Sequence, residues 1–98
     1  MLYMVIERFR DGDAKAVYRR FRERGRMAPE GLTYLDSWVE ETRGRCFQLM
    51  ACEDPELLQI WTAQWSDLVA FEIVPVRSSA EAAAAIFAEL DAEAEDGP

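Results

Sequence analysis

The chain of 98 residues contains no histidine. Histidine is the commonest general base near neutral pH, the usual partner of serine and cysteine nucleophiles, and a frequent ligand of haem iron and zinc. Its absence argues against triad hydrolases, histidine-ligated haem proteins and most zinc sites. The sequence also lacks a D-x-D-x-D-G loop and a glycine-rich phosphate loop. We therefore predict neither a metal site nor an organic cofactor.

Cysteine is scarce, with Cys46 and Cys52 as its two occurrences. They lie six positions apart in a segment that is typical of a strand, so about 20 Å should separate them at ~3.3 Å per residue. That separation is too long for a disulfide, and the C-x-x-C spacing of redox and metal motifs is missing. We predict two small buried apolar side chains in a reducing compartment.

Long apolar runs are missing as well, since none approaches the roughly 20 residues that a membrane helix requires. The first residues reach Glu7 and Arg8 without the basic and apolar regions of a secretory leader. Glycine and proline are few, and hydrophobic residues make up 50 % of the chain. We expect one globular cytoplasmic domain with no membrane contact.

Positive charge is concentrated in the first 27 residues of the chain. Residues 1–27 carry eight cations and four anions, whereas residues 28–98 carry three cations and fifteen anions. The net charge is −8, and the last twenty residues contain no cation. An acidic molecule repels phosphate at long range, so the net charge argues against a nucleic-acid partner.

Local patterns predict four strands and three helices in the order β-α-β-β-α-β-α. The strands are predicted at 2–9, 32–41, 45–53 and 69–76, and the helices begin at Asp13 or Asp11, at Asp54 with Pro55, and at the capping box from Ser78 to Glu81. This order is the ferredoxin-like α+β arrangement, with a four-stranded antiparallel sheet and two helices on one face. It accounts for residues 1–77. Residues 78–98 are predicted to form an acidic helix with a frayed end, docked through Ile86, Phe87 and Leu90.

Both faces of the predicted sheet are mostly apolar. We assign one set of alternating residues to the face under the helices: Leu2, Met4, Ile6, Phe47, Leu49, Phe71 and Ile73. The opposite set is nearly as apolar, whereas an antiparallel sheet with one face in water should be polar on that face. A partner subunit is the simplest cover, so we expect a homodimer.

Four segments carry a resemblance to a known family: LYMVIERF, RFRERGRMAPEGLTYLDSW, RCFQLM and WTAQWSDLVAFEIVPV. Through them, residues 1 to about 77 resemble the domain of unknown function 3303, whose members are similar to dimeric α+β-barrel proteins. The resemblance implies the fold and a homodimer, but no activity. The wider superfamily includes cofactor-free monooxygenases, lactone isomerases, haem enzymes and ligand binders, so the fold does not select a function.

Isolated polar residues in the apolar strands form the candidate site. Glu7 and Glu72 are candidate acid/base groups because a carboxyl in such a strand is partly desolvated, and Tyr34, Trp38 and Gln48 are candidate binding groups. We expect Glu7, Gln48 and Glu72 to converge on a small-molecule cavity between the sheet and the partner. The alternative is a non-catalytic homodimeric interaction module, in which dimer packing fills this space and the carboxylates pair with arginines or reach solvent. Trp61 and Trp65 are assigned to the core, and the arginines of the first helix to a solvated face.

Overall fold

A computed structural model describes residues 1–95 of the protein. The strands are β1 (Leu2–Phe9), β2 (Thr33–Val39), β3 (Arg45–Ala51) and β4 (Val69–Val76), and the helices are α1 (Ala14–Arg24), α2 (Glu56–Ala63) and α3 (Ser79–Glu95). A single 3-10 turn, Arg10–Gly12, separates β1 from α1. The element order confirms the predicted ferredoxin-like α+β fold. The end of the predicted frayed tail, residues 96–98, lies outside the described residues.

The helices begin where the sequence supplies capping side chains. Asp13, Asp54 and Ser78 each accept a hydrogen bond of 3.0–3.1 Å from a backbone N–H two or three residues later. Gly25 follows α1 with φ of 71°, a left-handed conformation that glycine adopts without steric cost. These local signals explain why the predicted helix starts agree with the structure.

The sheet is antiparallel throughout, and its strand order is β2-β3-β1-β4. β1 therefore lies between β3 and β4, as the ferredoxin-like arrangement requires. Glu7 of β1 lies opposite Cys46 on one side and Phe71 on the other, while Val5 lies opposite Gln48 and Ile73. Side chains at these paired positions share one face of the sheet.

The face under α1 and α2 is the reverse of our assignment for β1 and β3. Its buried residues are Tyr3, Val5, Glu7 and Phe9 of β1 and Cys46, Gln48 and Met50 of β3, and the core adds Val17 of α1 with Leu58 and Trp61 of α2. The assignment was wrong because both faces are apolar, so the alternation did not distinguish them. For β4 it is confirmed, since Phe71 and Ile73 pack against the core.

A β-bulge in β2 separates two residues that the alternation placed together. Tyr34 lies opposite Met50, but Asp36 lies opposite Leu49, so Leu35 is the additional residue. Tyr34 therefore shares the helix-covered face, whereas Trp38, opposite Phe47, lies on the other face. An unbroken two-residue alternation along the second strand predicts that Tyr34 and Trp38 share one face, and that prediction is wrong because the bulge interrupts the alternation.

The second face of the sheet, called the open face below, is apolar and only partly shielded. Its residues are Leu2, Met4, Ile6, Phe47, Leu49, Val74 and Val76, with Trp38 at the side and Arg8, Arg45 and Glu72 toward one end. Trp38 is 52 % exposed. An apolar surface of this kind is unusual on a monomeric soluble protein.

α3 extends away from the sheet. The described residues, with α3 included, measure 62 × 31 × 17 Å along their principal axes. None of its described residues is buried, and Ile86, Phe87 and Leu90 are all more than half exposed. The expected docking of this stripe is therefore not made within the described part of the chain. None of the helices in residues 1–95 has the length and apolar character required to cross a membrane.

Replacing Trp61 tests the core. Trp61 is 1 % exposed and packs against Phe71, with 6.0 Å between ring centroids. We expect Trp61→Ala to lower the free energy of unfolding by about 3–5 kcal/mol because it leaves a cavity. Ile60→Ala is the matched control, since Ile60 is on the same helix but 53 % exposed, and it should change stability by less than about 1 kcal/mol. Urea denaturation measures both, and equal losses would contradict the described packing.

Candidate functional site

Three hydrogen-bonded polar side chains lie between the sheet and the helices: Glu7 and Gln48, which are buried, and Arg26, which is half-buried. The Gln48 amide donates to Glu7 Oε2 at 2.8 Å, and Arg26 Nε donates to Gln48 Oε1 at 2.9 Å. Glu7 is 5 % exposed and Gln48 is 7 % exposed. Among the described residues, no buried side-chain nitrogen or oxygen atom lacks a hydrogen-bond partner, so Glu7 and Gln48 remain buried without leaving an unsatisfied group.

Within residues 1–95, no cation is in direct contact with the carboxyl of Glu7. Burial raises its pKa above the ordinary value, and this effect outweighs hydrogen bonds from Gln48 and Cys46 and the more distant charge of Arg26, all of which lower it. The shift favours the protonated form, so the carboxyl can release or accept a proton closer to neutral pH than an exposed glutamate. A raised pKa within a cavity is a common property of acid/base groups.

Cys46 lies beside Glu7 and donates its thiol hydrogen bond to the carboxyl. Burial, and then the neighbouring charge of Glu7, raise the pKa of the thiol to about 12. The thiolate is the nucleophilic form of cysteine, and it is not populated at neutral pH with this pKa. Cys46 therefore acts as a neutral hydrogen-bond donor and not as a nucleophile.

Arg26 is held at the site from several directions. Its backbone carbonyl accepts hydrogen bonds from the indole nitrogens of Trp61 at 2.9 Å and Trp65 at 3.0 Å. Its guanidinium carbon lies 3.6 Å from the ring centroid of Tyr34 and 5.2 Å from that of Phe21. Stacking on aromatic faces suits the planar guanidinium, and it fixes the orientation of the group.

A half-enclosed cavity of about 230 Å³ lies beside these polar groups. Its walls are mainly apolar and include Phe9, Val17, Tyr18, Phe21, Val39, Trp61 and Trp65, while Glu7, Arg26, Ser37, Cys46 and Gln48 form its polar side. Apolar walls with a few fixed polar groups are typical of small-molecule sites. The cavity lies between the sheet and the chain's own helices, not on the open face where we expected it.

The structure brings together three of the five predicted site residues. Glu7 and Gln48 are hydrogen-bonded, and Tyr34 joins them through its contact with Arg26. Glu72 lies opposite Ile6 on the open face and is exposed, and Trp38 is also on that face. The expected convergence of Glu72 with Glu7 is therefore wrong, because adjacent strands place these two residues on opposite faces.

The sequence analysis did not identify Arg26 as a site residue, nor the contribution of Trp61 and Trp65 to its position. The prediction of a solvated face for the arginines of the first helix included Arg26. In the structure Arg26 follows Gly25, where α1 has ended, and its side chain turns toward the sheet. Trp61 and Trp65 are core residues as predicted, and their indole N–H groups also position Arg26. The available signal was Glu7 and Gln48 in apolar strands, since buried groups of this kind require a polar partner.

A metal is not suggested by the side chains at this site. Among residues 1–95, no group of three or more cysteine, aspartate or glutamate side chains is placed to hold a metal ion. Glu7 and Cys46 are the metal-ligating types at the cavity, and the protonated thiol favours hydrogen bonding over coordination. The chemistry that this arrangement supports is binding and proton transfer.

Comparison with known families gives a match over residues 1–90 to the family described as Domain of unknown function (DUF3303). The chain belongs to the DUF3303 family. The match extends beyond residue 77, where the sequence resemblance ended, and includes most of α3. Neither the curated proteins nor the solved structures include a significant match to this DUF3303 chain.

The buried carboxyl of this DUF3303 protein predicts a specific pH dependence. The pKa of Glu7 is raised in the folded state, so ionisation destabilises the fold progressively as pH rises from the ordinary glutamate value through the folded-state pKa. Glu7→Gln removes this ionisation and keeps a hydrogen-bond acceptor for Gln48. We expect the stability of the variant, relative to wild type, to increase as pH rises.

Urea denaturation at a series of pH values from about 4 to 8 measures this dependence. Glu30→Gln is the matched control, since Glu30 is an exposed glutamate in the loop between α1 and β2. Its stability should follow the wild-type pH profile. A Glu7→Gln profile parallel to wild type would show that Glu7 ionises as it does in the unfolded chain.

Proposed function

We propose that the protein binds a small molecule in the cavity between its sheet and its helices, with Glu7 as the group that exchanges a proton with the ligand. The observation that carries the proposal is a carboxyl of raised pKa, 5 % exposed, beside a cavity with aromatic walls. A carboxyl with a purely structural role does not require an adjacent cavity. A site that exchanges a proton with a bound ligand requires both the carboxyl and the cavity.

The chemistry that fits is cofactor-independent general acid/base catalysis. Glu7 takes a proton from an acidic C–H or O–H of the ligand and returns it elsewhere, and Gln48 keeps the carboxylate oriented. The neutral Cys46 thiol donates to the same carboxyl and stabilises its ionised form. Covalent catalysis by Cys46 is disfavoured because its pKa of about 12 keeps the thiol protonated.

Narrowing the cavity tests ligand binding. Val39 lies at the edge of the cavity and is 38 % exposed, so a larger side chain has room to extend across the opening. We expect Val39→Trp to reduce the affinity for single-ring probes such as benzyl alcohol and benzoate by about tenfold or more, equivalent to ~1.4 kcal/mol. Isothermal titration calorimetry measures the affinities.

Leu35→Trp is the matched control for this experiment. Leu35 is on the same strand and 47 % exposed, but it does not line the cavity. Its replacement should leave the affinity for each probe within about twofold of wild type. Equal effects of the two variants would place binding outside the cavity.

We also propose that two copies of the chain associate through their open faces. This proposal retains the interaction module as a second function, and the exposed apolar face supports it. Arg45 forms a two-pronged ion pair with Glu40 at 2.8 Å, near Arg8 and Glu72, so both signs of charge are present at one end of the face. A two-fold axis places identical surfaces together, and a face with both signs can pair with itself.

Trp38→Glu tests the homodimer. In a dimer formed by the open faces, the new carboxylate would be buried without a partner, which costs several kcal/mol. We expect wild type to sediment as a dimer at micromolar concentration and Trp38→Glu to sediment as a monomer. Ile60→Glu is the control, because Ile60 is equally exposed at 53 % but lies on α2 over the opposite face. A monomeric wild type, or a dimeric Trp38→Glu variant, would contradict the proposal.

The two proposals are separable by experiment. A dimer whose cavity takes none of the single-ring probes is the result expected of a non-catalytic interaction module. Binding that Val39→Trp abolishes, with or without dimerisation, supports the small-molecule site.

A further inference from the structure

The guanidinium of Arg26 has unused hydrogen-bond donors at the cavity. Its Nε bonds to Gln48, while its two Nη groups make no hydrogen bond to any described residue. The side chain lines the cavity. An arginine fork with only its Nε engaged can still donate two parallel hydrogen bonds.

Arg26 also lacks a contacting acidic side chain. Among residues 1–95, the ion pairs are Arg20 with Asp67 and Arg45 with Glu40, and Arg26 has no carboxylate within 4.0 Å. Gln48 separates it from Glu7. The chain has nineteen acidic residues, yet none of those described forms an ion pair with Arg26. The charge of this arginine is therefore free to bind an anionic ligand in the cavity.

The position of Arg26 is fixed before any ligand binds. Two indole N–H groups hold its backbone carbonyl, and the ring of Tyr34 stacks on its guanidinium at 3.6 Å. Met27, the next residue, has φ of 61°, in the left-handed region that non-glycine residues rarely occupy. A fixed guanidinium loses little side-chain entropy on binding a ligand, which increases the affinity that its hydrogen bonds provide.

The size of the cavity limits the ligand. A cavity of 150 Å³ engineered in another protein holds benzene, so about 230 Å³ accommodates one aromatic ring with a small substituent. The aromatic walls, which include Tyr18, Trp61 and Trp65, suit stacking against such a ring. The planar arginine fork matches a carboxylate, whose single charge also meets less repulsion from Glu7 than a phosphate dianion would.

We propose that Arg26 is an anion-recognition residue and that the ligand is a single-ring aromatic carboxylate. The inference rests on the proposed small-molecule function and specifies its ligand class. The carboxylate binds the Nη groups of Arg26, and the ring lies against the aromatic walls. A hydroxyl on the ring supplies the hydrogen-bond donor that the carboxyl of Glu7 accepts.

Titration of the full-length protein with four probes tests the proposal. The probes are benzoate, 4-hydroxybenzoate, benzyl alcohol and benzylamine, which share a ring but differ in charge and polar group. We expect the two carboxylates to bind at least about tenfold tighter than benzyl alcohol, since a charge-assisted bidentate pair contributes on that scale. Benzylamine should bind most weakly, because its ammonium group is repelled by Arg26.

Two arginine variants test whether Arg26 is the residue that causes the carboxylate preference. We expect Arg26→Gln to lose the carboxylate preference, so that benzoate and benzyl alcohol bind this variant with affinities within about twofold of each other. The backbone contacts of residue 26 to the tryptophans do not depend on its side chain. Arg24→Gln removes the same charge from an exposed position on α1 that does not line the cavity. It should retain the carboxylate preference of wild type.

The outcomes distinguish this inference from the function on which it rests. Benzyl alcohol or benzylamine binding as tightly as benzoate would overturn the anion preference and keep a small-molecule site. A preference that persists in Arg26→Gln would overturn the role of Arg26. No binding of any probe at millimolar concentration would overturn both the ligand class and the proposed site.

Discussion

The arrangement of the sheet depends on the burial of Glu7 beneath the helices. A carboxyl in the centre of an apolar strand is tolerated only if its oxygens have hydrogen-bond partners, and here Gln48 and Cys46 on the neighbouring strand supply them. Arg26 then completes the set from the loop after α1. The register of β1 with β3, the path of the chain after Gly25 and the location of the cavity are all compatible with this one requirement.

The cavity adjoins the hydrogen-bonded side chains of Glu7, Gln48 and Arg26, because the large aromatic rings around them do not fill all the space. Trp61 and Trp65 donate hydrogen bonds to the backbone carbonyl of Arg26, and the ring centroid of Phe21 lies 5.2 Å from its guanidinium carbon. A protein interior of ordinary density leaves few voids of this size. All three rings line the cavity together with Arg26, so the space lies where aromatic side chains surround the arginine.

The elements were predictable from the sequence because their signals are local. Asp13, Asp54 and Ser78 mark helix starts through bonds within three residues, and Leu2–Phe9 agrees with the predicted first strand at both ends. The faces were not predictable in the same way. Leu2, Met4 and Ile6 are as hydrophobic as Tyr3, Val5 and Phe9, so only tertiary packing decides which set lies beneath the helices. The bulge at Leu35 and the inward turn of Arg26 likewise depend on contacts with β3, which a single strand or loop does not encode.

The central position of β1 has a consequence for how the protein folds. Residues at the start of β1 pair with β3 about fifty positions later and with β4 more than seventy positions later, as in Leu2 with Ala51 and Val76. Closing such long loops carries an entropic cost before the strand contacts form, which makes folding slower than in a helical bundle of similar size. During synthesis, β1 emerges first but cannot complete its hydrogen bonding until residue 76 is available. An apolar strand is thus left with unpaired backbone groups until its partners are synthesised, and strands in that state are prone to pair with other chains.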